Sequence, residues 1–238
     1  MISWPVARAA AREKLRSPAI LVVAACFVSA AALGGRAGAP GDTFGGFGVA
    51  FLLVLTLALG AGLLSDELDS GHAQLVLLRP LTRAAWLGGR LAGAGVALAA
   101  VTAAAWAAAA VASLGSGHAL PLSALALLPL AVLWAFAWLS VLTALGAILP
   151  GWTNAGALVV AAIAWATLRT TLPALLGHPE WAAAAAELSK YLGPQDPLGL
   201  AFDRHALGPA LYDACWVFFA WLVAALLFNR RELARRRP

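Results

Sequence analysis

The chain contains 238 residues, of which 62% are hydrophobic and 11% are charged. A soluble domain carries roughly a quarter charged residues, so this composition excludes an ordinary water-soluble fold, and the abundance of apolar residues excludes intrinsic disorder. A formal charge of +5 would favour nucleic acid as a partner of a soluble protein, but the basic residues here lie mostly at the chain ends and around one loop, which is typical of membrane orientation. No nucleic-acid partner is therefore expected.

Six apolar stretches approach or exceed the roughly 20 residues that a helix needs to cross the lipid bilayer. They are Pro18–Leu33, Phe44–Leu64, Ala84–Leu114, Leu120–Leu149, Ala155–Leu176 and Leu207–Phe228. We therefore predict an all-α, polytopic membrane protein whose single transmembrane domain covers residues 1–238. Pro129 lies inside the fourth stretch and is expected to kink or interrupt that helix.

The distribution of Lys and Arg predicts the side of the membrane on which each connection lies. With a cytoplasmic N-terminus, all but four of the 16 basic residues fall on the inner side. The four on the outer side are Arg36, Arg169, Lys190 and Arg204. This excess predicts that both termini are cytoplasmic, which requires an even number of spans.

Residues 3–16 are predicted to form an amphipathic helix at the inner surface. Pro5 suits a first helical turn, and a row of arginines lies beside a row of apolar residues. The two rows are Arg8, Arg12 and Arg16, and Trp4, Ala7, Ala11 and Leu15. Such a helix would turn its arginines toward anionic head groups. A basic flank with no further role is the alternative, because Lys14 falls close to the apolar row.

Two connections are long enough to hold structure of their own: residues 65–83 on the inner side and 177–206 on the outer side. In the outer one, Pro179 suits a first helical turn. Apolar residues then recur at helical spacing at Trp181, Ala184, Leu188 and Leu192. This pattern predicts a short helix at the outer interface, which Pro194 and Pro197 end.

Residues with catalytic, nucleotide-binding or metal-binding chemistry are scarce. The two lysines, Lys14 and Lys190, follow Glu and Ser, so the chain contains no Gly-Lys-[Ser/Thr] phosphate-binding loop. We interpret the sequence 115–118 as a glycine-rich turn rather than a Ser-His catalytic pair. The outer residues His118, His178, His205, Glu180 and Asp203 match no metal-ligand spacing. We expect no catalytic residue, cofactor or metal.

Two charges fall at membrane depth, where an isolated charge costs roughly 2–3 kcal/mol or more. Arg169 lies toward the outer end of the fifth span and Asp213 near the outer start of the sixth, at similar depths if both helices are straight. Either they pair or line a polar cavity, or Arg169 extends to the outer head groups while Asp213 reaches water. In the third span, the pattern Gly89-x-x-x-Gly93 favours close helix packing.

The inner connection has the most informative pattern. An acidic cluster is followed by a short apolar helix that Ser70 or Gly71 would begin and Pro80 would end, and Thr82 is placed to cap the third span. The run from Leu75 to Leu78 would expose a large apolar surface in the cytoplasm unless it packed against another molecule. This segment is therefore predicted to be a docking element.

Here the sequence resembles the membrane-spanning permease subunits of ATP-binding-cassette exporters of the type-2 class. Members of that family carry an acidic residue, Gly-Thr, a leucine-rich stretch and Pro-x-x-Arg between their second and third spans. The matching residues are Glu67, Gly71, Leu75, Leu77, Leu78, Pro80 and Arg83, with His72 in the place of the usual threonine. The turn at 192–194 is similar to an Asn-Pro turn of the family, and the tail has the same basic character at Arg230 and Arg231.

The resemblance implies a permease subunit that pairs with a second, identical or related permease and rests on two copies of an ATPase subunit, which would bind the ATP. Residues 65–83 would be the coupling loop and residues 3–16 the elbow helix that touches the same partner. Export across a bacterial inner (cytoplasmic) membrane would follow, and the chain itself would not be an enzyme. The alternatives are a non-transporting membrane anchor for an ATPase and an intramembrane enzyme. The sequence indicates no substrate.

Overall fold

The computed structural model describes residues 2–38, 47–64, 82–120, 123–149, 151–189, 191–195 and 207–235. All regular elements among them are helical, which confirms the predicted all-α class. They are α1 (Trp4–Arg16), α2 (Pro18–Ala37), α3 (Val49–Gly60), α4 (Arg83–Gly115), α5 (Ser123–Gly146), α6 (Thr153–Ala166), a π-helical turn (Thr167–Thr171), α7 (Leu172–Leu176), α8 (Pro179–Ser189) and α9 (Leu207–Arg235).

Five helical segments are long and apolar enough to cross a membrane, so the structure is that of a polytopic helical protein. They are Pro18–Ala37, Arg83–Gly115, Ala124–Gly146, Thr153–Leu176 and Leu207–Arg230. The second predicted span is not confirmed, because its first residues lie outside the described part of the chain and its described α-helix, α3, has 12 residues. That length corresponds to about 18 Å, well short of a hydrocarbon core of about 30 Å. Gly62 has a φ of 69° in the turn that follows, a left-handed conformation with which a helix cannot continue.

The long helices α4 and α5 form the centre of the molecule. Helix α4 packs against α1 and α2, α5 packs against α3, α6 and α9, and the two pack on each other. Phe27, Leu52, Leu98 and Leu127 are completely buried in the core that they share. Helix α5 continues through Pro129, so the predicted interruption does not occur there.

Glycines on α2 and α4 allow neighbouring elements to approach closely. A Cβ added at Gly93 would come within 2.6 Å of the Ala10 Cβ and would overlap the backbone of α1, while one at Gly89 would lie 2.9 Å from the Val6 Cβ. One at Gly35 of α2 would overlap the backbone of α4. The close packing predicted for the Gly89-x-x-x-Gly93 pattern is therefore confirmed, with α1 as the neighbour.

One end of the bundle is closed by a cluster that we call the Trp86 cluster. It consists of Leu64, Trp86, Leu87, Ala147, Ala224 and Phe228. The rings of Trp86 and Phe228 stack with their centroids 5.7 Å apart. The cluster residues that follow α3 and α5, and those late in α9, show that these three helices run toward this end. Trp86 and Leu87 lie at the start of α4, so α4 runs away from it. This alternation is the one that the sequence predicts.

The segment from α6 to α8 is the least buried part of the described chain. In the most apolar stretch of Thr153–Leu176, only 6% of the residues are buried. Within the π-helical turn, the hydroxyls of Thr167 and Thr170 donate hydrogen bonds to the carbonyls of Ile163 and Ala166, at 2.9 and 2.8 Å. Helix α8 (Pro179–Ser189) confirms that a short helix forms here, although Leu192 lies beyond its end.

We expect the substitution Gly93→Ala to lower stability by about 1–3 kcal/mol, because the new methyl group overlaps α1 and a close-packed contact must open. Unfolding of the purified chain in detergent measures this change. Gly156→Ala is the matched control, since a Cβ at Gly156 meets open space. It should leave stability unchanged or raise it by up to about 1 kcal/mol. Equal destabilisation by both variants would contradict the packing role of Gly93.

Candidate functional site

The candidate site is the Trp86 end of the bundle. There the chain leaves the turn after α3 and returns at the start of α4, on either side of residues 65–81. Most of the residues that match the family pattern lie outside the described residues, namely Glu67, Gly71, Leu75, Leu77, Leu78 and Pro80. The structure does describe the two flanks of that segment. On the first flank Leu64 is 1% exposed, and on the second Arg83 is the first residue of α4. The hydroxyl of Thr82 accepts a hydrogen bond from the Ala85 N–H at 3.3 Å, which confirms the predicted cap.

Both flanks are held by the same buried contacts. Leu64 belongs to the Trp86 cluster, and Trp86 itself lies only three residues into α4. The partner of Trp86 in the stack is Phe228, late in α9. A force applied to the segment between residues 64 and 82 would therefore reach α4 and α9 through close-packed side chains, which transmit displacement because cores have low compressibility.

Asn154 ties three helices together near this end. Its buried Nδ2 donates to the carbonyls of Gly60 in α3 and Leu142 in α5, at 3.1 and 3.2 Å. Its Oδ1 accepts from the N–H of Ala155 at 2.7 Å. One side chain thus satisfies a carbonyl of each of two helices that pack side by side. This role of Asn154 was not predicted from the sequence, although a lone Asn at the start of an apolar stretch is a visible signal.

Helix α1 is fastened to the first part of α4 by polar contacts at both of its ends. The Ser3 N–H donates to the Ala85 carbonyl at 3.2 Å. At the other end, Nη1 of Arg90 lies 2.8 Å from Oε2 of Glu13, and Nη2 lies 3.5 Å from Oε1. The Arg90 side chain is 8% exposed and that of Glu13 is 55% exposed. This pair was not predicted from the sequence, because its members are 77 positions apart.

The Glu13–Arg90 pair perturbs the pKa of the Glu13 carboxyl. Partial burial raises this pKa, but the hydrogen bond from Arg90 and the charges of Arg90 and Lys14 lower it by more, so that it lies below its ordinary value. A carboxyl whose pKa is lower in the folded than in the unfolded chain stabilises the fold above its unfolded pKa of about 4.3. That stabilisation is lost as the pH falls through the lower, folded pKa.

We expect Glu13→Gln to lower the unfolding midpoint at neutral pH. The loss of stability should be about 1 kcal/mol, the upper end of the range for exposed ion pairs, because Arg90 is buried but Glu13 is not. Thermal unfolding in detergent at a series of pH values measures this effect. The midpoints of the wild type and the variant should converge as the pH falls through the lowered pKa of Glu13 in the folded chain, since the carboxylate is then protonated. In an Arg90→Gln background the pH-dependent effect of the substitution should be smaller, since Lys14 still acts on the carboxyl but the bond to Arg90 is gone. A constant difference at all pH values would contradict the pairing.

The two charges predicted at membrane depth lie in different environments. Arg169 lies in the π-helical turn and is exposed, whereas Asp213 of α9 is completely buried. Within the described residues no ion pair joins Arg169 to Asp213. The expectation of similar depth assumed straight helices, whereas Arg169 lies in a π-helical turn (Thr167–Thr171) between two α-helices.

Asp213 instead holds the outer segment against the bundle. Its Oδ1 accepts from the backbone N–H of Gln195 at 2.8 Å. Nearby, the Tyr212 hydroxyl donates to the Tyr191 carbonyl at 2.7 Å. Gly193, which has a φ of 127°, lies so close to the ring of Trp138 that an added Cβ would be 3.2 Å from it. The predicted turn at 192–194 is therefore fastened to α5 and α9.

We expect Asp213→Ala to lower stability by about 1–3 kcal/mol, because a buried hydrogen bond to the outer segment is lost. Arg169→Gln should change stability by no more than about 0.5 kcal/mol, since its side chain is exposed. The effects should add in the double variant to within about 0.5 kcal/mol, as measured by unfolding in detergent. A coupling above about 1 kcal/mol would show that the two charges interact.

The outer histidines lie in separate places. His118 follows α4, and its backbone N–H donates to the Ser113 carbonyl at 3.0 Å within a turn. His178 precedes α8, where its Nδ1 lies 2.7 Å from a carboxylate oxygen of Glu180 and its ring stacks on Trp181. In the described part of the chain, no three His, Cys, Asp or Glu side chains are grouped to hold a metal. His205 and Asp203 lie outside the described residues.

Comparisons with known proteins give no family for this chain. No protein-family model matches it, and no curated protein matches it either. The feature of the described structure that bears on function is the packing of the Trp86 end. There, the two flanks of residues 65–81 are held against the packed ends of several helices.

Proposed function

We propose that this chain is the membrane-spanning permease subunit of an ATP-binding-cassette transporter of the type-2 exporter class. A separate subunit would bind and hydrolyse ATP, because no phosphate-binding loop occurs in this sequence. In this proposal α3 is the second of six spans, both termini are cytoplasmic, and the chain lies in a bacterial inner membrane. A second permease subunit and two ATPase subunits complete the transporter.

One observation carries the proposal. The segment 65–81 combines acidic residues with the apolar run from Leu75 to Leu78, and its flanks are fixed at one end of the bundle by Leu64 and Trp86. An apolar segment outside the membrane needs a partner to cover it. The fixed flanks explain what that partner would gain, since a movement imposed on the segment would reach α3 and α4 at once.

The contacts around the Trp86 end support a coupling role. Helices that move in transport must shift as discrete bodies, which requires close packing between the driven element and the spans. Trp86 with Phe228 connects the entry of α4 to α9, and Asn154 connects the end of α3 to α5. Helix α1 is bound to the same part of α4, so the elbow helix and the segment 65–81 would move together.

Co-purification tests the proposal. We expect the tagged chain, extracted in mild detergent from its native membrane, to retain a polypeptide with a phosphate-binding loop and ATPase activity. The triple variant Leu75→Ser, Leu77→Ser, Leu78→Ser should recover at least tenfold less of it, because each buried leucine contributes about 1.5–3 kcal/mol to an apolar contact. Glu67→Ala should weaken the association as well.

The control applies the same chemical change to leucines elsewhere. Leu175 and Leu176 of α7 are exposed, at 76% and 52%, in the outer half of the fifth span. Leu175→Ser with Leu176→Ser should leave the co-purified ATPase unchanged. If no ATPase accompanies the wild-type chain, or if the two sets of variants behave alike, the coupling proposal fails. An ATPase that associates without driving transport in reconstituted vesicles would favour the non-transporting anchor.

A further inference from the structure

Helix α1 presents a basic groove that the ATPase proposal does not require. The groove runs between α1 and α4, has a volume of about 870 Å³, and is lined by Trp4, Ala7, Arg8, Ala11, Arg12 and Val96 among others. Arg8 and Arg12 are both exposed, and neither forms an ion pair with a described residue. We propose that this groove binds one anionic phospholipid, with its phosphate between Arg8 and Arg12 and an acyl chain against Val96.

The rotation of α1 about its axis is fixed, and this fixes the direction of the arginines. Ala7, Ala10 and Ala11 are buried, with Gly93 of α4 directly beneath Ala7 and Ala10. Glu13 is held by Arg90. At 100° per residue, Glu13 lies 140° around the helix from Arg8 and 100° from Arg12. The one acidic side chain of α1 is therefore bound on the far flank and does not neutralise the groove.

The charge of the groove fits a phosphodiester. Side chains four residues apart on a helix are neighbours, with Cβ atoms about 5–6 Å apart, so Arg8 and Arg12 can reach one phosphate together. Guanidinium–phosphate hydrogen bonds are charge-assisted and often bidentate. Trp4 precedes them on the same side and is 65% exposed, and tryptophan is enriched at the level of the head groups.

The depth of the groove fits a lipid better than a protein segment. Helix α4 has 33 residues, or about 50 Å, which exceeds the hydrocarbon core by about 20 Å. With this excess divided between its two ends, the hydrocarbon boundary falls about 10 Å along α4, near Gly89 and Gly93, where α1 lies. Val96 is then about 20 Å along, inside the hydrocarbon, and is 49% exposed. The groove thus joins a cationic part at the boundary to an apolar part beneath it.

Lipid titration of the intact chain, purified with any bound subunits, tests this proposal. After delipidation in detergent, binding of phosphatidylglycerol and of phosphatidylcholine is measured by native mass spectrometry. We expect one phosphatidylglycerol per chain to bind well above the level of phosphatidylcholine. In Arg8→Gln with Arg12→Gln the affinity should fall about 25-fold, because each arginine near an anionic lipid contributes about fivefold. Arg169→Gln, which removes another exposed arginine, is the matched control and should bind as the wild type does.

A second variant tests the apolar part of the groove. Val96→Trp leaves both arginines in place but fills the space beneath them, so phosphatidylglycerol should be lost although the charge is kept. Equal binding of the two lipids, full binding by the double arginine variant, or full binding by Val96→Trp would each overturn the proposal. If the arginine variants lose the co-purified ATPase and keep the lipid, the groove belongs to the protein partner. Because the assay reads lipid alone, its outcome is independent of the coupling experiment.

Discussion

The packing of the bundle depends on how closely α1 and α2 approach α4. Where α1 and α2 cross this helix, a glycine allows backbones to come within a distance that any side chain would prevent, at Gly93 for α1 and at Gly35 for α2. In a membrane, where lipid is as apolar as the protein, such close packing is a main source of helix association. The sequence supplies it with long runs of alanine and glycine in α4.

This close approach has a consequence for the Trp86 end. Because α1 packs closely on α4 at Gly93, the Arg90 side chain lies within reach of Glu13 and its charge is buried against that carboxylate. The same region of α4 continues into Trp86 and the stack with Phe228. The described flanks of residues 65–81 therefore join the bundle where α1 and α9 pack against the first part of α4.

The two ends of the bundle are packed differently. The Trp86 end contains large apolar side chains, whereas the apolar core of the opposite half includes alanines such as Ala105, Ala109 and Ala124, and the segment that contains Gln195 is held there by its hydrogen bond to Asp213. The segment from α6 to α8 projects from α5 with little burial. The exposed apolar surface of this segment is compatible with contact to lipid or to a second subunit. In the proposed pair of permeases, the second subunit would cover it.

The sequence determined what depends on composition and local pattern. The all-α class, the positions of five apolar helices, the Thr82 cap, the α8 helix and the packing role of Gly89 and Gly93 all follow from periodicity, turn residues and small side chains, which act over a few positions. Tertiary structure decided what depends on contacts between distant parts of the chain. The pairing of Glu13 with Arg90, the bonds of Asn154 to two helices, and the different surroundings of Arg169 and Asp213 depend on how the helices pack. No local pattern encodes these, because each depends on where residues far apart in sequence come to lie.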